Sequence, residues 1–197
     1  MHSICKTSIR FTLVTLVLLG LGYPLLVTGI AGVVFPKQAN GSLIQLNDGT
    51  VIGSELIAQS FISDKYFHPR PSAAAYSDAS DYAANSTTSP SGGTNLAQSN
   101  KALVTRIQGD IDKLAAENPG KPVPIDLVTT SASGLDPDIT PDNASFQVPR
   151  VAKARNMSEE SLHKLIAQQI TGRQFGVLGE PRVNVLALNR ALDKLAK

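Results

Sequence analysis

From Phe11 to Phe35 the chain reads FTLVTLVLLGLGYPLLVTGIAGVVF, an unbroken run without a charged residue. At about 1.5 Å per residue it makes a helix of roughly 37 Å, against a bilayer hydrocarbon core of about 30 Å. Backbone amides and carbonyls in lipid must satisfy one another, so the run is expected to be a membrane-spanning helix. Pro24 withholds an amide from that ladder beside Gly20 and Gly22, which predicts a kink. Gly20, Thr28, Gly29, Ala31 and Gly32 are small enough to let a second membrane helix approach closely.

The flanks orient this segment. Lys6 and Arg10 precede it with no acid beside them, whereas Lys37 is the only nearby charge after it. The positive-inside bias places residues 1–10 in the cytoplasm as a short tail, residues 11–35 in the membrane, and residues 36–197 outside the cytoplasm as one globular domain. A cleaved signal peptide is the competing reading, since Gly29 and Ala31 offer small residues for a cleavage site. A signal's apolar region is typically about 7 to 15 residues, and this one is far longer, which favours retention.

Beyond Pro36 the chain carries equal numbers of basic and acidic residues. A domain of zero net charge gives no electrostatic reason to bind nucleic acid or an anionic surface. The single cysteine, Cys5, lies in the tail, so the domain builds neither a disulfide nor a thiolate metal site. One domain with its own core is the expectation for this length.

Its elements are of mixed type, an α+β domain. GSLIQLNDGTVIGS alternates about Asn47, Asp48 and Gly49, which predicts a hairpin with strands near Leu43 to Leu46 and Thr50 to Ile52, followed by a short helix from Ser54 through Gln59. Tyr66 to Asn95, rich in serine and proline, reads as a long loop, and loops of that length tend to carry function. Leu103, Ile107, Ile111 and Leu114 form one stripe of a helix that opens near Ser99 or Asn100 and is stopped by Asn118, Pro119 and Gly120, with that face buried. Ile125 to Thr129 reads as a buried strand. Thr140 with Pro141 starts a helix that Pro149 interrupts. Ser158 caps another that runs to about Thr171, with Met157 stapled onto Leu162. Asn184 caps the last, in which Val185, Leu188, Leu192 and Leu195 share a face and Lys194 and Lys197 lie near the negative end.

Chemical motifs are sparse. Neither G-x-x-x-x-G-K-[ST] nor G-x-G-x-x-G occurs, so the chain is not expected to hydrolyse ATP by itself. Ser91, Gly92, Gly93, Thr94 and Asn95 form a turn whose amides could cradle an anion, although two adjacent glycines more often simply turn the chain. Ser133 before Gly134 stands where a nucleophile could be presented, which keeps an anchored serine hydrolase as an alternative, but no histidine is near in sequence. Asp136, Asp138 and Asp142 invite a calcium reading, yet helix capping and turns about Pro137 and Pro141 explain them more simply. Two domain histidines, His68 and His163, cannot make a multi-histidine metal site. Arg70 and Arg150, each beside proline, suit fixed guanidinium geometry toward a carboxylate, with a structural salt bridge the plainer account. Gln147 and Asn95 read either as partner contacts or as buried hydrogen bonders.

The long motifs are more telling: YPLLVTGIAGVVFPKQANGSLI from Tyr23, YFHPRPSAAAY from Tyr66, SGGTNLAQSN from Ser91, PVPIDLVTTSASGLDPDITP from Pro122, QVPRVAKAR from Gln147 and LGEPRVNVLALN from Leu178. With them the chain resembles, over nearly its whole length, the C subunit family of the Kdp potassium-transporting P-type ATPase. Two positions depart from the pattern, Thr94 where the family usually has serine and Asp138 where it often has histidine. The resemblance implies a non-catalytic subunit of an ATP-driven potassium importer in the bacterial plasma membrane. Its implied partners are a channel-like potassium-binding subunit, an ATP-hydrolysing pump subunit, a small single-helix subunit and membrane lipid.

No cofactor of its own is implied, since ATP and potassium are handled by the complex. The family's C subunit is described as aiding assembly and as a catalytic chaperone that raises the pump's ATP affinity. The motif residues that follow from it are Tyr23, Pro24, Arg70, Ser91, Gly92, Gly93, Asn95, Ser133, Gly134, Asp136, Gln147 and Arg150. A free-standing anchored binding module is a further alternative. With Lys6 and Arg10 inside, the domain faces away from cytoplasmic ATP, and the long loop is expected to cover the channel-like subunit's outer entrance.

Overall fold

A computed structural model describes residues 2–76 and 90–195. Residues 77–89 of the long loop, with Tyr82, and Lys197 therefore lie outside the described residues. The chain divides into two compact units, Met1–Leu43 and Ile44–Lys197.

The first unit is helical from α1 (His2–Thr15) through a π-helical segment (Leu16–Gly22) to α2 (Tyr23–Val34), followed by the short α3 (Pro36–Ala39). The long helix Ser3–Val34 has a mean hydropathy of 2.1 in its most apolar window and buries none of it within the protein. Leu16, Leu19, Leu25 and Val33 are all exposed around its circumference, so the helix is long and apolar enough to cross a membrane and leaves its apolar surface uncovered. The π segment has a local cause. Pro24 stands in the first turn of α2 without an amide to donate, and the Tyr23 amide reaches back five residues to the Leu18 carbonyl. The strain expected as a kink is thus taken up by a widened turn just before the proline.

Starting at the unit boundary, β1 (Leu43–Gln45) and β2 (Val51–Ser54) form a two-stranded sheet. The turn residues behave as their chemistry predicts: Gly49 takes a φ of 84° and Asp48 Oδ1 accepts from the Thr50 amide at 2.9 Å. No helix follows. Residues 55 to 57 turn instead, because Ser54 Oγ captures the Leu56 amide at 3.1 Å, and the next amide to bond, that of Ala58, goes to the Leu135 carbonyl at 3.1 Å.

α4 (Lys101–Glu117) starts where Asn100 caps the Ala102 amide. Its apolar stripe is only half-buried, and none of its residues is fully buried, contrary to the expectation from periodicity. Polar bonds hold it to the domain instead: Arg106 donates to the Val128 carbonyl at 3.0 Å, and Asn118 Nδ2 to the Phe146 carbonyl at 2.9 Å. Ile125–Leu127 is a 3₁₀ turn rather than a buried strand, with Ile125 exposed and Asp126 turned inward. Asp126 forces this: its carboxylate accepts from the Thr140 amide and from Asn143 Nδ2, both at 2.9 Å.

The core is built by α5 (Pro141–Arg155), α6 (Glu159–Gln169) and α7 (Val185–Leu195) against a three-stranded antiparallel sheet of β3 (Asp138–Ile139), β5 (Arg182–Asn184) and β4 (Ile170–Thr171), with β5 central. Thr140 caps α5, whose chain runs straight through Pro149, because Val148, Val151 and Ala152 are buried on either side of it. Tertiary packing here overrides the proline. Ser158 caps α6 as expected, with Met157 packed on the core that includes Leu162, but Ile170 and Thr171 leave the helix to pair with Val183 and Arg182. Asn184 Oδ1 caps α7 through the Ala187 amide at 3.0 Å, and Leu188 and Leu192 are fully buried while Leu195 is exposed.

Candidate functional site

Two neighbouring assemblies gather most of the residues singled out in the sequence, and both are organised by the loop that follows Phe61. The first latches YFHPR onto the helices. Phe67 is fully buried in the core, which carries its polar backbone in with it. A buried amide group cannot be left unpaired cheaply, and two helical side chains supply the partners. Asn189 of α7 accepts from the Phe67 amide and donates to the Phe67 carbonyl, both at 2.9 Å. Gln147 of α5 does the same for His68, accepting from its amide at 2.8 Å and donating to its carbonyl at 3.1 Å. Each carboxamide thus acts as one rung of a β-ladder.

Gln147 is itself held in line. Its Nε2 donates to Asn143 Oδ1 at 2.7 Å, and Asn143 Nδ2 donates to Asp126. On its other side Arg150 Nη2 donates to Gln147 Oε1 at 2.7 Å and to the Tyr66 carbonyl at 3.0 Å, while Nη1 donates to the Asp64 carbonyl at 2.9 Å. Arg155 completes the latch by donating to the Lys65 carbonyl, pairing with Asp193 at 2.7 Å and lying over the Tyr66 ring. The imidazole of His68 lies 3.2 Å from Arg150 Nη1. Burial first, and the Arg150 charge second, push its pKa below the ordinary value. The same Nε2 lies 3.1 Å from the Ser63 carbonyl, which can only accept, so the neutral ring can donate to Ser63 or accept from Arg150 but not both at once. Arg150 is pulled below its usual value by the same burial.

The second assembly joins three loop segments. Ser131 pairs with Ser72 in a parallel bridge, and its amide donates to the Pro71 carbonyl at 2.8 Å. Ser91 Oγ and the Gly92 amide both donate to the Ser133 carbonyl at 2.9 Å. A side chain at Gly93 would strike the Ala132 carbonyl at 2.9 Å. One at Gly134, which takes a φ of 69°, would meet Ser72 Oγ at 2.9 Å. Those glycines are therefore required by close packing of backbone on backbone. Arg70 Nη1 pairs with Asp136 at 2.7 Å behind this seam, and the Arg70 carbonyl accepts from Tyr76 at 2.7 Å.

The Gly92 amide is committed to Ser133, so the glycine pair serves as a joint between loops. Ser133 Oγ lies 3.3 Å from Ser131 Oγ and accepts from the Leu135 amide at 3.1 Å. Its hydrogen-bond partners among the described residues include no imidazole or carboxylate to activate it. The three aspartates take separate duties, Asp136 with Arg70, Asp138 with Arg182 at 3.0 Å, and Asp142 exposed in the first turn of α5. Burial pushes the Asp138 carboxyl above its ordinary value despite Arg182. Asn95 takes a left-handed φ of 52° in the turn. Tyr23 and Pro24 belong to the other unit. A groove of about 1040 Å³ runs between the Asp64 to Pro71 segment, α4 and α5, with Arg150 on its wall.

The sequence reading missed the roles of Asn143, Asn189, Asp126, His68 and Arg155. Their signal was there: Asn189 sits on the apolar face of α7 between Leu188 and Leu192, and Asn143 precedes Gln147 by one helical turn, positions where an amide must be bonding something.

The family described as K+-transporting ATPase, c chain, matches residues 5–194. A potassium-transporting ATPase KdpC subunit from Bradyrhizobium diazoefficiens is 58% identical over 195 residues, covering 97% of this chain and 96% of its own. One from Methylobacterium nodulans is 57% identical, covering 91% of this chain and 90% of its own. Another, from Acidobacterium capsulatum, is 54% identical and covers 96% and 97%.

Proposed function

Since the chain belongs to the KdpC family, the c chain of the K+-transporting ATPase, we propose that it is an accessory subunit of an ATP-driven potassium importer, held in the bacterial plasma membrane by its N-terminal helix. It works by supporting assembly of the complex and by modulating the subunit that hydrolyses ATP. Its partners are that pump subunit, a channel-like potassium-binding subunit and a small single-helix subunit. ATP and potassium are bound by the complex rather than by cofactor sites of this chain.

One observation carries the placement: a 32-residue helix that buries none of its apolar surface has both of its cations, Lys6 and Arg10, in its first turns. This supports a cytoplasmic N-terminus and an outer domain that reaches the channel-like subunit's entrance through the Tyr66 to Asn95 loop. The latch and seam described above fix the base of that loop, as a docking element requires.

Labelling tests the placement. In a Cys5→Ser background, a cysteine at exposed Leu56 should react with a membrane-impermeant maleimide on intact cells. Reaction only after permeabilisation would reverse the orientation and favour direct contact with nucleotide. A photo-cross-linker in place of exposed Pro90 in the intact complex should capture the channel-like subunit, and exclusive capture of the cytoplasmic nucleotide-binding part of the pump would refute the entrance role.

A further inference from the structure

The segment between β4 and β5 makes an apolar tip that the latch and seam do not use. Its two sides are closed by the Gln174 amide donating to the Leu178 carbonyl at 2.8 Å and the Leu178 amide returning the bond at 2.9 Å. Below that rung Arg173 Nη2 donates to both oxygens of Glu180, at 2.8 and 2.7 Å, so the two charges at the base neutralise each other. Above it the backbone turns through two positive φ angles, 53° at Phe175 and 78° at Gly176, and a third, 77° at Gly179, follows the rung on the base side. A phenylalanine in the left-handed region is strained, and the surrounding bonds hold that strain in place.

The product is a tip that presents Phe175 with 92% of its surface exposed, Val177 with 71% and Leu178 with 57%. Gln174 to Gly179 carries no charge. Three neighbouring apolar side chains held outward on a braced turn are not the scatter of single apolar residues normal to a protein surface.

We propose that this tip inserts into the lipid–water interface of the membrane in which the chain is anchored. The covalent tether argues for lipid as the occupant. Only Phe35 to Leu43 separates the apolar helix from the domain, and even fully extended that stretch reaches no further than about 30 Å. The domain is therefore tethered within that reach of the bilayer, where the lipid interface is present at high effective concentration. An aromatic ring with two aliphatic neighbours on an uncharged turn matches the chemistry of the outer 5 to 10 Å of a leaflet, roughly the depth that interfacial segments reach. Zero net charge beyond Pro36 leaves apolar insertion, rather than attraction to anionic headgroups, as the source of contact.

The inference rests on the helix being a membrane anchor, and the experiment separates the two. The full chain contains no tryptophan, so Phe175→Trp in the protein reconstituted into phosphatidylcholine vesicles has a single tryptophan, excited selectively at wavelengths beyond tyrosine absorption. Co-flotation with the vesicles reports the anchor. Given co-flotation, Phe175→Trp and Val177→Trp should emit at shorter wavelength than in the unfolded chain and lose about half their intensity to lipids brominated near the carbonyl end of the acyl chain. Ile125→Trp, on the exposed 3₁₀ turn, should be unquenched. Water-like, unquenched emission at both tip positions overturns the proposal. So does a blue shift without bromolipid quenching, which would mean a protein pocket covers the tip, and so does equal quenching at Ile125.

Discussion

At the residue scale the domain depends on side-chain amides doing the work of backbone. Gln147→Leu keeps the volume but orphans the amide and carbonyl of His68 and one donor of Arg150. Denaturant unfolding should show a loss of about 3 kcal/mol, well above that of a surface substitution. His68 adds a pH dependence of defined sign. Its folded pKa is depressed below the unfolded value of 6.5, so the unfolded chain binds the proton more readily. The stability this neutral ring contributes is present above that value and lost as pH falls through the folded pKa. His68→Gln should flatten the decline of Tm between about pH 7 and pH 5; an unchanged profile would show that another group titrates. Arg70 was legible as one half of an ion pair, because its neighbours fix the guanidinium. Its partner Asp136 was named for other reasons, and only the fold brings the two together.

At the element scale, local chemistry predicted starts better than stops. The caps at Thr140, Ser158 and Asn184 are all in place, and of Ser99 and Asn100 it is Asn100 that caps α4, since a cap needs only a side chain two or three residues from its target. Pro149 misleads because its cost is local while the burial of Val148 and Val151 is not. Pro149→Ala should therefore raise stability, by up to about 3 kcal/mol in the unfolding free energy, with α5 unchanged in length. The three-stranded sheet escaped notice because its strands are two or three residues long, too short to show a period. Gly134→Ala probes the loop seam: the left-handed φ and the contact with Ser72 should cost about 1 to 3 kcal/mol, whereas alanine at Gly92, which meets nothing within 4 Å, should cost little.

At the scale of the molecule, the core cluster runs from Phe67 to Leu192, wholly within the second unit. A chain beginning at Pro36 should stay soluble and unfold in one cooperative transition, as circular dichroism against temperature would show. Failure to fold would mean that the apolar helix contributes to the domain's stability. By itself the sequence determined the apolar helix, the charge asymmetry at its start, the family and the helix caps, because each is written in composition or in spacings of a few residues. Tertiary structure decided which loops meet, that Asn189 and Gln147 pair with the backbone of YFHPR, and that Phe175 is held outward. The first two depend on contacts between residues as much as 122 positions apart, and the third on a left-handed turn whose closing bonds only the folded backbone shows, none of which a local pattern encodes.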